Sequence, residues 1–438
     1  MTPRRHDLPT DPRSDLERIA RAALESVDAR ALVARSLRVD GGVLRVETSE
    51  STKGFDLARF DAVFVIGFGK AAGPMARAVE AALGSRIDSG LIVVKPGREA
   101  PLDRIRQVPG GHPVPDHTSV RAAHEVAALA DQADERTLVI TLISGGGSSL
   151  VAAPLDYAGW NLTLTDIQDT TRQLLACGAT IEEINCIRKH LLLLAGGRLA
   201  RRIAPAPSIS LVLSDVVGDD FQTIASGPTC PDATTYGQAR SIIDDRGIGA
   251  AVPKAVMDFL GAGARGKIPE TPKPGASEIS GVTHVLVGTN LLALRGAARE
   301  AERLGYNTII LTSRLVGEAR EAAGVIAAVA RDVARSGLPR ARPACLLAGG
   351  ETTVTVRGDG KGGRNQEMAL AFLTEGERDP DALSGTYFLS FSTDGEDGPT
   401  DAAGGFALPS FAGAARAAGL RITDSLRRND SYTLLRKL

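Results

Sequence analysis

Short runs of β-branched and aliphatic residues alternate along the chain with longer alanine-rich segments in which apolar positions recur every three or four residues. An unbroken apolar run predicts a buried strand, and a period near 3.6 predicts an amphipathic helix. On that basis AVFVIG (62–67), GLIVVKPG (90–97), TLVITLIS (137–144) and SISLVLSD (208–215) read as strands. AAGPMARAVEAAL (71–83), HTSVRAAHEVAALADQ (117–132) and an opening segment near 14–35 read as helices, as do TDIQDTTRQLLACG and CIRKHLLLLAGGRLARRIA. Strands separated by helices predict the α/β class, because a parallel return requires a crossover.

Residues 262–280, AGARGKIPETPKPGASEIS, are rich in Gly, Pro and charge and carry no apolar period. They read as an interdomain connection, dividing the chain into domains of 1–265 and 275–438. The βα rhythm restarts with VTHVLVGTN, LLALRGAAREAERLG, YNTIILTS, GEAREAAGVIAAVARDVARSG and PACLLAGGETTVTV. The halves show no internal repeat. A length of 438 residues suits two or three domains.

Composition narrows the function classes. Lys and Arg number 51 against 52 Asp and Glu, a net charge of −1, which provides no global field for nucleic acid. Cys177, Cys186, Cys230 and Cys345 are scattered without metal-type spacing and read as small apolar residues of a reducing compartment. The N-terminus lacks an apolar signal core and no stretch of about 18 apolar residues occurs, so a cytoplasmic protein without a membrane partner is expected.

In an open parallel sheet the ligand crevice lies beyond the carboxyl ends of the strands. GFGKAAG (67–73) follows a predicted strand and opens a predicted helix, where unpaired N–H groups favour an anion and Lys70 adds a positive charge. Gly67, Gly69 and Gly73 space as GxGxxxG, Lys95 rather than an acid ends the next strand, and GxxxxGK[ST] is not matched, so neither a dinucleotide fingerprint nor a Walker A loop fits. A packing turn with a solvated Lys70 is the structural alternative. LISGGGSSL (142–150) places Gly145, Gly146 and Gly147 between Ser144 and Ser148–Ser149. Absent side chains there open backbone amides to a ligand, and the hydroxyls are candidate donors.

LVLSDVVGDD (211–220) ends a strand in Asp215 and turns into Asp219 and Asp220. Carboxylates beside a phosphate loop suit Mg²⁺, with Asp215 and Asp219 as candidate ligands and Asp215 as candidate base; helix capping is the alternative. In the second half GDGKGGRN puts Lys361 and Arg364 at a glycine-rich helix start, suited to charge on a transferring phosphoryl group. FSTDGEDGPTDAAGG crowds Asp394, Glu396, Asp397 and Asp401 into one loop, read equally as a cation site or a capped polar turn. His112 and His190 sit in no catalytic spacing and read as structural. From residues alone the pattern is that of a kinase-like phosphotransferase.

The motifs GFGKAAGPMA, GGHPVPD, LISGGGSSL, INCIRKHLLLLAGGRLA, SDVVGDDFQTIASGPTCPD, GGETTVTVRGDGKGGRNQE and STDGEDGPTDAAGG occur in this order. From about residue 15 onward the chain resembles type II glycerate kinase, the MOFRL-domain family. The resemblance implies two Rossmann-like α/β domains with mostly parallel sheets and an interdomain active-site cleft. It also implies ATP- and Mg²⁺-dependent phosphorylation of D-glycerate at the 2-hydroxyl, with Lys70 and Arg364 at the family's catalytic lysine and arginine positions. The roles given to Gly67, Gly69, Ser144, Gly145–Gly147, Ser148, Ser149 and Asp215 come from chemistry alone. The chain departs from the family pattern at LLLLAGG, and at RRNDSYTLLRKL, beyond which the family continues through a further strand into a TGPTGTNV-like segment; that segment is expected to matter for full activity. The alternatives are an NAD(P)H-linked hydroxypyruvate reductase and a noncatalytic ligand-binding protein. A homo-oligomer is compatible with either.

Overall fold

The computed structural model describes residues 11–157 and 159–438. They form two units: Asp28–Thr289, and the described part of Met1–Val27 together with Asn290–Leu438. The division falls between Thr289 and Asn290, not in the connection expected over 265–275.

The larger unit is built on six parallel strands: β1 (Ala62–Phe68), β2 (Ser89–Val94), β3 (Arg106–Pro109), β4 (Thr137–Ile143), β5 (Ser208–Leu213) and β6 (Val282–Gly288). Their spatial order is β3-β2-β1-β4-β5-β6. This is the doubly wound arrangement, whose direction of travel reverses between β1 and β4 and leaves a crevice at their carboxyl ends. Every residue of β4 is buried, as a central parallel strand covered on both faces requires. The register aligns Phe68 with Ile143 and Ile143 with Val212, so the loops that follow leave the sheet at one height. Helices α1 (Ala72–Leu83) and α2 (His117–Ala130) cover the sheet with Met75, Ala76, Val79, Ala123 and Val126, all fully buried. Burying side chains of this size contributes about 1.5–3 kcal/mol for each large one. A three-stranded antiparallel meander, Leu37–Asp40, Val43–Glu47 and Thr52–Asp56, precedes the sheet.

Strand β6 explains the displaced boundary. VTHVLVG reads correctly as a strand, but it pairs in parallel with β5 and completes the first sheet. The segment before it is pinned within the same unit. Thr271 donates to the buried Asp232 at 3.0 Å, as does Lys189 at 3.3 Å. Glu270 receives the Tyr236 backbone N–H and the Lys273 ammonium, each at 3.0 Å, and faces His190 at 3.2 Å. Burial alone would raise the Glu270 carboxyl, but these hydrogen bonds from His190, Tyr236 and Lys273 outweigh it and hold the group at about 2.

The opening helix also divides. Pro12–Ser26 ends before Asp28, whose carboxylate accepts the Ala31 N–H and caps a new helix, Ala29–Ser36. The first piece belongs to the smaller unit, where Ile19 and Ala23 pack on Ala293, Ala297 and Ala301 of the helix Asn290–Arg303.

In the smaller unit β7 (Asn307–Leu315) pairs in parallel with β8 (Ala344–Gly350), and β9 (Phe388–Phe391) pairs antiparallel with β10 (Gly404–Ala407). The expected mostly parallel pattern thus describes one of its two strand pairs. Among the described residues no helix lies between β9 and β10, and without a crossover the chain returns antiparallel. Alanines of α4 (Ala319–Ser336) face Leu370, Phe372 and Leu373 of α5 (Arg364–Arg378). TTVTV, read as strand, is largely irregular; Thr355 Oγ1 donates to Glu318 at 2.6 Å instead of joining a ladder.

The Glu270 network has a pH signature. A carboxylate held at about 2 against an ordinary 4.5 contributes stability that is complete above pH 4.5 and disappears as pH falls toward 2. Urea midpoints measured from pH 6 to pH 3 should fall less steeply for Glu270→Gln than for the wild type; parallel curves would remove this group from the linkage.

Candidate functional site

The loops leaving β1 and β4 meet at the switch point and are tied together by their backbones. Ser144 N–H donates to the Phe68 carbonyl at 3.2 Å, and Lys70 N–H to the Gly145 carbonyl at 2.9 Å. The Ser144 hydroxyl, itself buried, accepts the Ala71 N–H at 3.0 Å. Gly69 makes this crossing feasible, since its φ is +126° and a methyl group on it would lie 2.2 Å from Ser144 Oγ. The first turn of α1 carries no side-chain cap; the Ala72 N–H bonds the Gly69 carbonyl at 3.1 Å and Pro74 has no N–H, which leaves the Gly73 amide as a candidate anion donor.

Each of the three consecutive glycines makes room for a different neighbour. A methyl group on Gly145 would lie 1.5 Å from Asp215 Oδ2, and one on Gly147 would lie 2.9 Å from both the Phe68 ring and Ala225 Cβ. Gly146 has φ +79°, and a methyl group there would meet the His112 ring at 2.9 Å and Lys70 Cγ at 3.5 Å. Lys70, His112 and Asp215 therefore converge on two residues of backbone, Gly145 and Gly146. They arrive from the loops after β1, β3 and β5.

The serines serve differently from the expectation that they donate to a ligand. Besides Ser144, Ser149 donates to the Pro113 carbonyl at 2.9 Å, and Ser148 shares a hydrogen bond with Ser226 at 2.8 Å. Ser226 in turn donates to Asn185 Oδ1 at 2.9 Å. The hydroxyls thus fasten neighbouring loops around the glycines. Gly67 lies within β1, where a methyl group would meet Ile92 and Leu142 at 2.9 and 3.0 Å, so its smallness serves strand packing rather than a ligand. Asp219 sits in the turn after Asp215 with φ +58°. Asp220 accepts from Gln222 N–H and Thr223 Oγ1, the capping alternative.

His112 is the residue that spacing arguments passed over. Its loop is locked from behind: Ser119 Oγ accepts the Gly111 N–H at 2.9 Å, and Asp116 caps α2 through the Thr118 and Ser119 N–H groups. The Thr118 hydroxyl first, and those backbone bonds after it, hold the Asp116 carboxyl below the usual range. The signal available in the sequence was GGHPVPD directly after a strand.

In the smaller unit Arg364 opens α5 and pairs with Glu351 at 2.6 Å, both side chains partly exposed. Such exposed pairs are worth about 0–1 kcal/mol, so the guanidinium is held loosely. Lys361 lies over the Tyr432 ring at 4.8 Å. The acidic loop follows its capped-turn reading: Asp397 receives the Asn365 and Gln366 N–H groups at 3.0 and 2.9 Å, fixing the start of α5, and Asp401 receives the Tyr432 hydroxyl. Asp394 accepts the Ser392 hydroxyl at 2.6 Å. Among the described residues no group of three or more His, Cys, Asp or Glu is gathered as a metal cage.

Comparison with known proteins agrees with this architecture. A family model described as a domain of unknown function, DUF4147, matches residues 15–261, and the MOFRL family model matches 344–438. The chain is 38% identical over 422 residues to the glycerate 2-kinase of Pyrococcus horikoshii, covering 96% of this chain and 91% of that protein. It is 41% identical over 378 residues to a putative hydroxypyruvate reductase of Agrobacterium vitis, covering 85% and 82%. The crystal structure of glycerate kinase from Thermotoga maritima superposes with a TM-score of 0.79 at 36% identity, covering 97% of this chain and 94% of that one.

Ser144→Ala removes the acceptor that joins the two loops and leaves the Ala71 N–H unpaired, which should cost about 1–3 kcal/mol in denaturant unfolding. Gly146→Ala forces a side chain into left-handed backbone and should cost about 1–2 kcal/mol. Midpoints unchanged by both substitutions would show that the crossing does not hold the loops.

Proposed function

We propose that this chain, which belongs to the glycerate 2-kinase family, transfers the γ-phosphoryl group of ATP to the 2-hydroxyl of D-glycerate, giving 2-phosphoglycerate and ADP. The observation that carries the reading is the convergence of Lys70 and Asp215 on the Gly145–Gly146 backbone at the switch point of the sheet. Backbone amides without side chains, an uncapped helix start and one cation suit the oxygens of a triphosphate. A carboxylate at the same place suits the acceptor hydroxyl.

In this mechanism the amides of Gly145–Gly147 and of Gly73 in the first turn of α1 bind phosphate oxygens and hold the donor in line with the acceptor. The Lys70 ammonium stabilises charge as it builds on the equatorial oxygens. Arg364, held only by its loose pairing with Glu351, is the second cation proposed for phosphoryl oxygens, and its planar fork suits two oxygens at once. Asp215 orients the 2-hydroxyl and accepts its proton as the O–P bond forms and the bond to ADP breaks. His112, against Gly146, limits where the acceptor can lie.

Magnesium fits as an ion carried in on phosphate oxygens rather than one held in an all-protein cage. Asp215 would hold it, with Asp219 from the following turn as a second oxygen donor, and it would offset charge on the β- and γ-phosphoryl oxygens. Among the described residues no helix is long and apolar enough to cross a membrane.

ADP release coupled to a reporter should depend on D-glycerate, and NMR of the product should place phosphorus on carbon 2. Lys70→Ala and Arg364→Ala should each lower kcat by about 100- to 1,000-fold with the melting temperature retained. Near-wild-type turnover in both variants would contradict their roles. Oxidation of a reduced nicotinamide with hydroxypyruvate and no ATP would favour the reductase reading instead.

A further inference from the structure

The motif INCIRKHLLLLAGG contributes a charged residue that the phosphoryl-transfer chemistry leaves unused. It forms α3 (Ile181–Leu191), started by a capping box in which Thr180 and Glu183 bond reciprocally. Among the described residues, apart from the exposed Glu182, the charged side chains of α3 other than Arg188 are committed. Glu183 pairs with Arg246 at 2.6 Å, Lys189 with Asp232 at 3.3 Å, and His190 with Glu270 at 3.2 Å. Arg188 differs: it is only partly buried, and among the described residues its guanidinium has neither a hydrogen bond nor an ion pair. Withdrawal from water pulls its pKa below that of an ordinary guanidinium, with no acid nearby to restore it. A partly buried cation that no protein group pairs is a candidate for binding a ligand.

Its position identifies the use. Arg188 stands one turn beyond Asn185 on α3, and helical side chains lean toward the N-terminus, which directs it toward the turn that carries Asn185. Asn185 is the far end of the relay Asn185–Ser226–Ser148 that ends in the glycine loop, and it also donates to the Thr223 carbonyl at 3.3 Å. The segment it fastens is strained. Ala225 and Ser226 both occupy left-handed backbone, at φ +50° and +60°, and Ala225 closes on Gly147. Strain of this kind in non-glycine residues accumulates beside binding sites.

We infer that Arg188 is the carboxylate-binding cation of the glycine-loop site, holding the acid group of the acceptor while Lys70 serves phosphate. The inference rests on the glycerate kinase reading and adds the group that makes the acceptor an acid rather than a neutral polyol. A planar guanidinium can hold both carboxylate oxygens through parallel N–H bonds, which an ammonium cannot. Filling the vacant pairing with substrate also explains why no protein carboxylate neutralises it.

The test compares wild type, Arg188→Gln and Arg188→Lys with D-glycerate and with its neutral amide, glyceramide, at varied ATP. Arg188→Gln should raise the KM for D-glycerate by about 10- to 100-fold, the scale of a lost charge-assisted contact, and erase the preference for acid over amide. The KM for ATP should stay near the wild-type value. Arg188→Lys should retain part of the preference, and it provides the same readout if Arg188→Gln does not fold, as judged by melting temperature. An unchanged acid-to-amide ratio, or a rise confined to the KM for ATP, overturns the assignment. Wild-type protein that forms no ADP with D-glycerate defeats the kinase reading itself and this inference with it, a result distinct from an active enzyme indifferent to Arg188.

Discussion

The site depends on one crossing. Where β1 and β4 diverge, the loop after each strand uses the other's backbone groups: the Lys70 N–H reaches the Gly145 carbonyl, and the Ser144 hydroxyl receives the Ala71 N–H. Parallel strands with no helix end between them would leave these groups to water. Here they bond to each other, which is possible only because Gly69 lacks a side chain where Ser144 passes. The aligned register of Phe68, Ile143 and Val212 then delivers the Asp215 loop at the same level. Chemistry follows from backbone geometry: a cation, an acid and an imidazole reach one pair of glycines because the strands that launch them end together.

The larger sheet was legible because its central strands are long, uninterrupted apolar runs with helical segments between them. Four of its six strands were placed correctly in the first domain, and the short edge strand β3, RQVP, with no fully buried residue, went unread. The sixth was recognised as a strand and given to the wrong half, since a hydrophobic pattern states that a segment is extended but not which edge it joins. The charge-rich stretch before it looked like a linker because its anchoring is polar. Thr271 and Glu270 bind Asp232, Lys273 and the Tyr236 backbone, contacts that leave no apolar period. The break at Asp28 was visible in principle as a capping residue inside a helical pattern.

The candidate site was legible in part. Three adjacent glycines pointed to close approach, and the structure supplies the neighbours that Gly145, Gly146 and Gly147 admit. The flanking serines were assigned to a ligand, whereas they spend their hydroxyls on Ala71, Pro113 and Ser226; a hydroxyl's partner depends on loops distant in sequence. His112 escaped notice because a single histidine has no period, and its place is set by Ser119 and Asp116, residues of a different element. Arg188 escaped for a related reason: what distinguishes it is a missing partner, a property of the fold.

A crystal structure with a non-hydrolysable ATP analogue and D-glycerate tests the central claim most directly. The account predicts triphosphate oxygens within hydrogen-bonding distance of the Gly145–Gly147 amides and the Lys70 ammonium, with the acceptor hydroxyl beside Asp215. A triphosphate bound elsewhere, with this loop unchanged and unoccupied, would contradict it.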